Sequence, residues 1–224
     1  MLLAIPDVLN AEQLNKVRQL LDGARFIDGR LSAGSSARKV KKNHELPADS
    51  ELQGQLNQIV MNTLFNHGDY QTAVLPHRQA TPFYARYQPG EAYGFHVDDP
   101  VKGPMQGRYR TDVSTTVFLN EPEDYTGGEI VIQTQSGEQR IKLAAGSAIT
   151  YPSGSLHRVA EVTQGERLVA VTWAQSMIRD AEKRELLYNL YKSRERLQRK
   201  YPDDAEVVKI DHAYINLVRM WSEI

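Results

Sequence analysis

Apolar residues recur at spacings of three and four through the first third of the chain, which is the period of helices that bury one face. They predict a helix over residues 10–22, where Asn10 is followed three positions later by Gln13 in a capping-box arrangement. They predict a second helix over residues 50–66. The positions expected to face the core are Leu14, Val17, Leu20, Leu21, Leu52, Leu56, Val60, Leu64 and Phe65.

From about residue 78 the pattern changes to short segments rich in β-branched and aromatic residues, separated by Gly, Pro and Asn. These segments are TPFYARYQ, DVSTTVFLN, GEIVIQT, QRIKL, SAITYP, LHRVAEV and ERLVAVTWA. Each has the composition of a strand, and so many short strands within roughly 100 residues predict a β-sandwich or jelly roll.

Helical spacing returns after Ser176 in a densely charged segment, and Pro202 separates it from a last helix that runs to about Ile224. The predicted fold class is therefore α+β, with a jelly-roll core over residues 78–177. Residues 1–77 are expected to form an N-terminal helical support segment, and residues 178–224 a C-terminal helical extension. That extension either makes the protein a homo-oligomer or supports the core, and support is the preferred interpretation.

Composition and charge narrow the classes of function. The chain of 224 residues has 27 Lys and Arg against 28 Asp and Glu, a balance that predicts no nucleic-acid or membrane-surface partner. The cluster Arg38, Lys39, Lys41 and Lys42 is interpreted as a solvated loop. Cysteine is absent, which excludes disulfides and thiol catalysis. The start MLLAIPDVLN lacks a basic region before its apolar residues, so we expect a cytoplasmic protein without a signal peptide.

The stretch YGFHVDDP places His96 two residues before Asp98. On a strand such residues project from the same face, where a divalent metal is a natural shared partner. His157 follows 59 residues after Asp98, at the start of a late strand. A jelly roll can bring early and late strands together, which would complete the two-histidine, one-carboxylate triad of iron(II) oxygenases. The remaining histidines, interpreted as surface or structural residues, are His44, His67, His77 and His212.

Arg167 begins a strand whose next residues are all apolar. If it faces the interior, it needs an anion, because an unpaired buried guanidinium is costly. Its planar fork suits a carboxylate. Alternatively, since it follows Glu166 at a turn, Arg167 faces solvent or pairs with that residue.

These residues carry a resemblance to a known family. YQPGEAYGFHVD contains Tyr87, Gly90, Tyr93, His96 and Asp98 at the spacing of the prolyl 4-hydroxylase-like iron(II)- and 2-oxoglutarate-dependent dioxygenases. FLNEPEDYTGGEI resembles the strand and loop that follow in that branch, and Arg167 stands ten positions after His157. With the N-terminal IPDVL and the charged C-terminal helices, the chain is similar to the bacterial PKHD-type hydroxylases of the PiuC/YbiX kind.

The resemblance implies a double-stranded β-helix core and an oxygenase that hydroxylates a substrate C–H bond with O2, releasing succinate and CO2. It implies Fe(II) held by His96, Asp98 and His157, 2-oxoglutarate as co-substrate anchored by Arg167, L-ascorbate as reductant, and an association with iron uptake. Many relatives have a tyrosine where this chain has Phe118. Tyr87 or Thr116 could supply the missing hydroxyl to 2-oxoglutarate.

Several alternatives stay open at this point. Residues 99–112, rich in Pro and Gly, are either a substrate lid or a plain surface connection. If they form a lid, replacing Arg108 and Arg110 by Ala is expected to weaken substrate binding while turnover of 2-oxoglutarate without substrate persists. The chain could instead be a cupin-like metal enzyme that does not use 2-oxoglutarate, or a non-catalytic jelly roll that binds a ligand. The substrate could be a peptide prolyl or lysyl side chain, a free amino acid or a siderophore-like small molecule.

Overall fold

Antiparallel sheets flanked by helices form the fold in the computed structural model, which describes residues 1–35 and 37–224. The helices are α1 (Ala11–Leu21), α2 (Leu52–Asn66), α3 (Gly68–Val74), α4 (Ala181–Lys200) and α5 (Ala205–Trp221). The strands are β1 (Leu3–Ile5), β2 (Ile27–Asp28), β3 (Lys41–Lys42), β4 (His44–Glu45), β5 (Pro76–Gln79), β6 (Phe83–Tyr87), β7 (Glu91–His96), β8 (Val101–Lys102), β9 (Tyr109–Arg110), β10 (Val113–Phe118), β11 (Tyr125–Gly127), β12 (Ile130–Thr134), β13 (Gly137–Ile141), β14 (Ala148–Pro152), β15 (His157–Gly165) and β16 (Arg167–Ser176).

Two sheets contain most of these strands. The larger has the order β1-β14-β10-β16-β6-β4-β2, with β5 also paired to β16. The smaller has the order β13-β12-β15-β7-β3, with β11 also paired to β15. Strands distant in sequence are thus neighbours, as in a jelly roll. The predicted α+β fold with a double-stranded β-helix core is confirmed.

The larger sheet has an apolar cluster on each face. Its outer face packs on α1 and α2, where Leu168 and Ala170 of β16 join Val17 and Leu56. Its inner face meets the smaller sheet, where Val169 of β16 joins a second cluster with residues such as Phe118, Ile130 and Val159. The alternation along β16 follows from the two-residue period of a strand. Odd-numbered residues from Arg167 onward therefore face the space between the sheets.

The N-terminal helices lie close to their predicted positions. The capping box at α1 is formed, with Gln13 N donating to Asn10 Oδ1 and Asn10 N donating to Gln13 Oε1. In α2, Leu56, Val60 and Leu64 are buried, but the prediction that Phe65 faces the core is wrong, since 38% of it is exposed. Phe65 lies 100° around the helix from Leu64, outside the stripe that contacts the sheet.

The segment before residue 78 also contributes strands that the apolar pattern did not predict. Strand β3 extends the smaller sheet beside β7, whereas β4 extends the larger sheet beside β6. Each of these strands has two residues, which is too short for a period to be recognised in the sequence. The chain between them crosses from one sheet to the other.

Residues 99–112, expected to be a loop, contain the hairpin β8–β9. Its base is held by the Thr111 amide, which donates to the Pro100 carbonyl at 3.1 Å. Arg110 lies 3.2 Å from Asp112 and 4.0 Å from Glu223 beyond α5. None of the helices in the described ranges combines the length and the apolar character needed to cross a membrane.

Candidate active site

Three potential metal ligands meet at the end of the smaller sheet. His96 and His157 stand opposite each other on β7 and β15, and Asp98 follows two residues after His96. One ligand atom from each residue lies within 4.8 Å of the others, and His157 Nε2 is 3.9 Å from Asp98 Oδ2. Within residues 1–35 and 37–224 this is the one cluster of metal-ligating side chains with that geometry. The structure therefore brings together the three residues that the sequence predicted as ligands.

Hydrogen bonds set the orientation of both imidazole rings. His96 Nδ1 lies 2.8 Å from the Gly94 carbonyl, and His157 Nδ1 lies 2.9 Å from the Ser155 carbonyl. Because a carbonyl only accepts, both Nδ1 atoms carry the proton, and both Nε2 atoms keep a lone pair for a metal. Burial, reinforced by the nearby His157, lowers the pKa of His96 to about 4, so this ring is neutral at physiological pH. Tyr93 stacks on His96 with 3.6 Å between ring centroids and packs it in place.

The three residues border a cavity of about 420 Å³ between the two sheets. Alternate residues of β16, from Arg167 through Val171 to Trp173, line one wall of it. Trp173 lies opposite Ser114, the residue that bonds to Asp98, so this part of β16 is level with the candidate ligands. Arg167 lies six residues away at the other end of the wall. The other residues from the sheet interiors that line the cavity include Phe83, Tyr87, Tyr93, Thr116, Ile130, Tyr151 and Val159.

Arg167 is buried, and it makes no ion pair with any residue in the described ranges. Arg167 is 1% exposed, and its Nε atom has no hydrogen-bond partner among the described residues. The guanidinium lies 5.0 Å from the centre of the Tyr87 ring and 5.8 Å from that of Phe118. The alternative that Arg167 faces solvent or pairs with Glu166 is wrong, because Glu166 lies 3.7 Å from Arg86. A buried positive charge of this kind calls for an anionic ligand from outside the chain.

Three of the hydroxyl groups that line the same cavity are candidates for a second contact to an anion, and one of the three was missed by the sequence analysis. Tyr87 stands opposite Arg167 on β6, and burial raises the pKa of its hydroxyl to about 12. Thr116 lies on the neighbouring strand β10 and is also buried. The missed residue is Tyr151 on β14, whose ring centroid is 5.0 Å from that of His157. Burial raises the pKa of Tyr151 well above its usual value, so it too stays protonated and can donate a hydrogen bond.

The FLNEPEDYTGGEI segment explains how Arg167 is held. Asn120 Oδ1 accepts a hydrogen bond from the Leu168 amide at 2.6 Å, directly beside Arg167. Gly128 has φ +68°, and a Cβ there would lie 3.0 Å from Arg167 Cδ. A side chain at this position would therefore be strained and would crowd the arginine. The motif's Asn and Gly residues thus shape the wall around the guanidinium.

The N-terminal segment closes one side of the cavity with polar residues. Lys41, Asn43 and Glu45 are buried and line it, and Lys41 Nζ makes an ion pair with Glu45 Oε1. This pair links β3, at the edge of the smaller sheet, to β4, near the edge of the larger one. The interpretation of Lys41 as part of a solvated loop is wrong, because it is 6% exposed. All residues from 41 to 45 are polar, so no pattern in the sequence indicates this burial.

Comparisons with known proteins agree with this site. A family model described as the 2OG-Fe(II) oxygenase superfamily matches residues 82–175, and a model of the PKHD-type hydroxylase C-terminal domain matches residues 181–223. A PKHD-type hydroxylase from Thioalkalivibrio sulfidiphilus is 53% identical over 225 residues, covering 100% of both chains. The chain belongs to the PKHD-type hydroxylases. The hydroxylase is also 41% identical to the PKHD-type hydroxylase YbiX of Escherichia coli, again over 100% of both chains.

A solved structure supports the fold. A prolyl hydroxylase from Trichoplax adhaerens, in complex with a hypoxia inducible factor peptide fragment, has a TM-score of 0.57 and 17% identity. The match covers 83% of this chain and 86% of that one. Family membership makes the hydroxylase an Fe(II)/2-oxoglutarate-dependent dioxygenase, as the resemblance implied. The cupin-like and non-catalytic alternatives are therefore set aside.

Proposed function

We propose that the hydroxylase uses O2 to hydroxylate a substrate C–H bond while 2-oxoglutarate is converted to succinate and CO2. In this proposal His96, Asp98 and His157 hold Fe(II), and Arg167 binds the far carboxylate of 2-oxoglutarate. The observation that carries the proposal is that the ligand cluster and a buried arginine without a negative partner border the same cavity. A diacid that chelates the metal at one end and needs a cation at the other suits this arrangement.

The donor set fits iron(II) in an oxygenase. His96, Asp98 and His157 would hold the ion with two imidazole nitrogens and one carboxylate, the donor set that suits non-haem iron(II) and would leave it open to 2-oxoglutarate and O2. Bound Fe(II) with 2-oxoglutarate supplies the activation of O2 and the oxidation of the C–H bond. The chain's own task is to orient these groups and exclude water. Apolar side chains such as Val171, Ile130 and Val159 serve that purpose in the cavity wall.

The simplest test of the proposal measures the binding of 2-oxoglutarate by thermal unfolding, with Co(II) as a metal that does not turn over. A ligand whose free concentration is 100 times its dissociation constant stabilises the folded state by about 2.7 kcal/mol. We expect 2-oxoglutarate to raise the melting temperature clearly only when Co(II) is present, because the metal supplies half of its site. An equal rise without metal, or none with it, would contradict the proposal. Succinate formation with Fe(II), O2 and candidate substrates then identifies the reaction.

The far carboxylate of 2-oxoglutarate needs a second hydrogen-bond partner beside Arg167, since Phe118 has no hydroxyl. Tyr87, Thr116 and Tyr151 are the candidates in this cavity. We expect one of the variants Tyr87→Phe, Thr116→Val and Tyr151→Phe to raise the Kd of 2-oxoglutarate about 10-fold, the effect of one hydrogen bond to a charged group. Calorimetry with the Co(II) protein measures all three, and each variant serves as a control for the other two. If all three stay within about twofold of wild type, none of these three hydroxyls is the partner.

The hairpin β8–β9 is proposed to cover the substrate side of the cavity. Lys102 lines the cavity, with Nζ 3.9 Å from the centre of the Trp173 ring and 3.6 Å from Asp99. Arg110 instead holds the base of the hairpin, so it does not report on closure. We expect Lys102→Ala to weaken substrate binding about threefold to tenfold, since a cation–π contact at a partly buried site is lost. Turnover of 2-oxoglutarate without substrate should persist.

Arg108, which the sequence suggested as a reporter of closure, is exposed and lies outside the cavity wall. Arg108→Ala therefore becomes the control, because it removes a cation from the same hairpin without changing the cavity. Steady-state kinetics should show normal substrate KM in this variant. An equal fall of coupled and uncoupled turnover in Lys102→Ala would mean that the hairpin is structural.

Other implications of the resemblance stay predictions. Dependence on L-ascorbate is tested by the number of turnovers with and without it. The link to iron uptake is tested by growth of a deletion strain under iron limitation. A small-molecule or peptide substrate is tested by the succinate assay, and a homo-oligomer by sedimentation of the purified chain.

A further inference from the structure

The turn between β14 and β15 contacts two of the three candidate ligands. It spans Pro152 to Ser155 and is closed by the Ser155 amide, which donates to the Pro152 carbonyl at 2.9 Å. The Ser155 carbonyl accepts the Nδ1 proton of His157. The hydroxyl of Ser153 lies 2.8 Å from that of Ser114, and the Ser114 hydroxyl contacts Asp98 Oδ2. The YPSGS stretch thus reaches one ligand through a carbonyl and another through two hydroxyls.

The direction of the two hydroxyl bonds follows from counting protons. Asp98 is an acceptor when ionised, so Ser114 gives its single hydroxyl proton to the carboxylate. Ser153 must then donate its own proton to Ser114. Ser114 is 0% exposed and Ser153 is 2% exposed, so solvent does not compete for these bonds. The Ser153 amide also donates to the Asp112 carbonyl at 3.1 Å. This bond fixes the backbone of Ser153, the first donor of the two hydroxyl bonds.

The bonded carboxylate oxygen faces the place where a metal would lie. Oδ2 of Asp98 is the atom 3.9 Å from His157 Nε2. We infer that Ser153 and Ser114 are positioning residues that orient Asp98 for the metal, while the Ser155 carbonyl of the same turn orients His157. This inference rests on the proposed metal site. Without the hydroxyl chain, the carboxylate can rotate about its side-chain torsion and presents its oxygen less often in the right place.

The experiment measures Co(II) affinity and the visible spectrum of bound Co(II) for Ser114→Ala, Ser153→Ala and the double variant. Loss of an outer partner of a metal ligand weakens binding about 10- to 100-fold, and we expect this for Ser114→Ala. Ser153→Ala should weaken binding less, because Ser114 can still reach Asp98. The double variant should bind no more weakly than Ser114→Ala alone, since Ser153 acts only through Ser114. The spectrum should change with the altered geometry of the carboxylate.

Controls separate this inference from the metal site itself. Ser176→Ala removes the hydroxyl of another fully buried strand serine, which accepts from the Ile178 amide, and should leave Co(II) affinity unchanged. Asp98→Ala should abolish tight binding. If Asp98→Ala binds normally, the proposed metal site is wrong. If Asp98→Ala loses Co(II) while Ser114→Ala keeps wild-type affinity and spectrum, the positioning role is wrong and the metal site stands. If the losses of Co(II) affinity in the two single variants add fully in the double variant, Ser153 does not act through Ser114, and this part of the inference is wrong.

Discussion

Replacing His96 or Asp98 by Ala is expected to abolish tight binding of iron(II). The wild-type hydroxylase, purified without oxygen, should contain one iron per chain. Hydrogen bonds orient the three candidate ligands, since backbone carbonyls hold both imidazoles and Ser114 holds the carboxylate. Removing one of three protein ligands leaves a water-filled position and costs more than loss of an outer partner, so we expect at least about a 100-fold loss of affinity. Elemental analysis and calorimetry measure it.

The chain offers a matched control for each type of ligand. Asp99→Ala removes the carboxylate next to Asp98 in sequence, which pairs with Lys102. His77→Ala removes an exposed histidine from β5. Both variants should keep one iron per chain. Full iron retention in His96→Ala and Asp98→Ala would show that these side chains are not the ligands.

The metal cluster could be predicted from sequence because its geometry depends on few facts. His96 and Asp98 are two residues apart, so the short connection alone keeps them close, although β7 ends at His96 and Asp98 follows just outside the strand expected to carry both. To place His157 beside them required only a fold that brings early and late strands together, and the strand-rich segment indicated such a fold, a jelly roll. In contrast, the orientation of Arg167 could not be decided locally. It depends on the register of β16 against β6, which puts Arg167 opposite Tyr87 and between the sheets.

The N-terminal wall of the cavity shows where sequence patterns fail. Lys41 and Glu45 are charged, and charged residues are usually exposed, so nothing local indicates that they are buried. Their burial comes from the crossing of the chain between two sheet edges, which a two-residue strand does not reveal. Tyr151 was missed for a related reason. Its place in the cavity depends on the pairing of β14 with β10, which is visible only in three dimensions.

Arg167→Ala is expected to raise the Kd of 2-oxoglutarate about 30-fold or more. The guanidinium is buried against aromatic rings, and its charge has no negative partner within the described residues. A bidentate pair with a carboxylate in such a place is worth roughly 2–5 kcal/mol on truncation, and 2 kcal/mol corresponds to about 30-fold. Calorimetry with the Co(II) protein measures this Kd directly. Co(II) affinity itself should change little, because Arg167 is not among the candidate ligands.

Two further variants decide whether the charge or merely the packing of Arg167 matters. Arg167→Lys should recover part of the affinity, since it keeps the positive charge but loses the planar fork. Arg158→Ala is the control, on the preceding strand β15. Arg158 lies 3.6 Å from Glu138 and over the exposed Phe95 ring, outside the cavity wall. It should bind 2-oxoglutarate as wild type does. If Arg167→Ala binds 2-oxoglutarate normally while folded and loaded with Co(II), the anion that Arg167 requires is a different ligand, and the substrate becomes the first candidate for it.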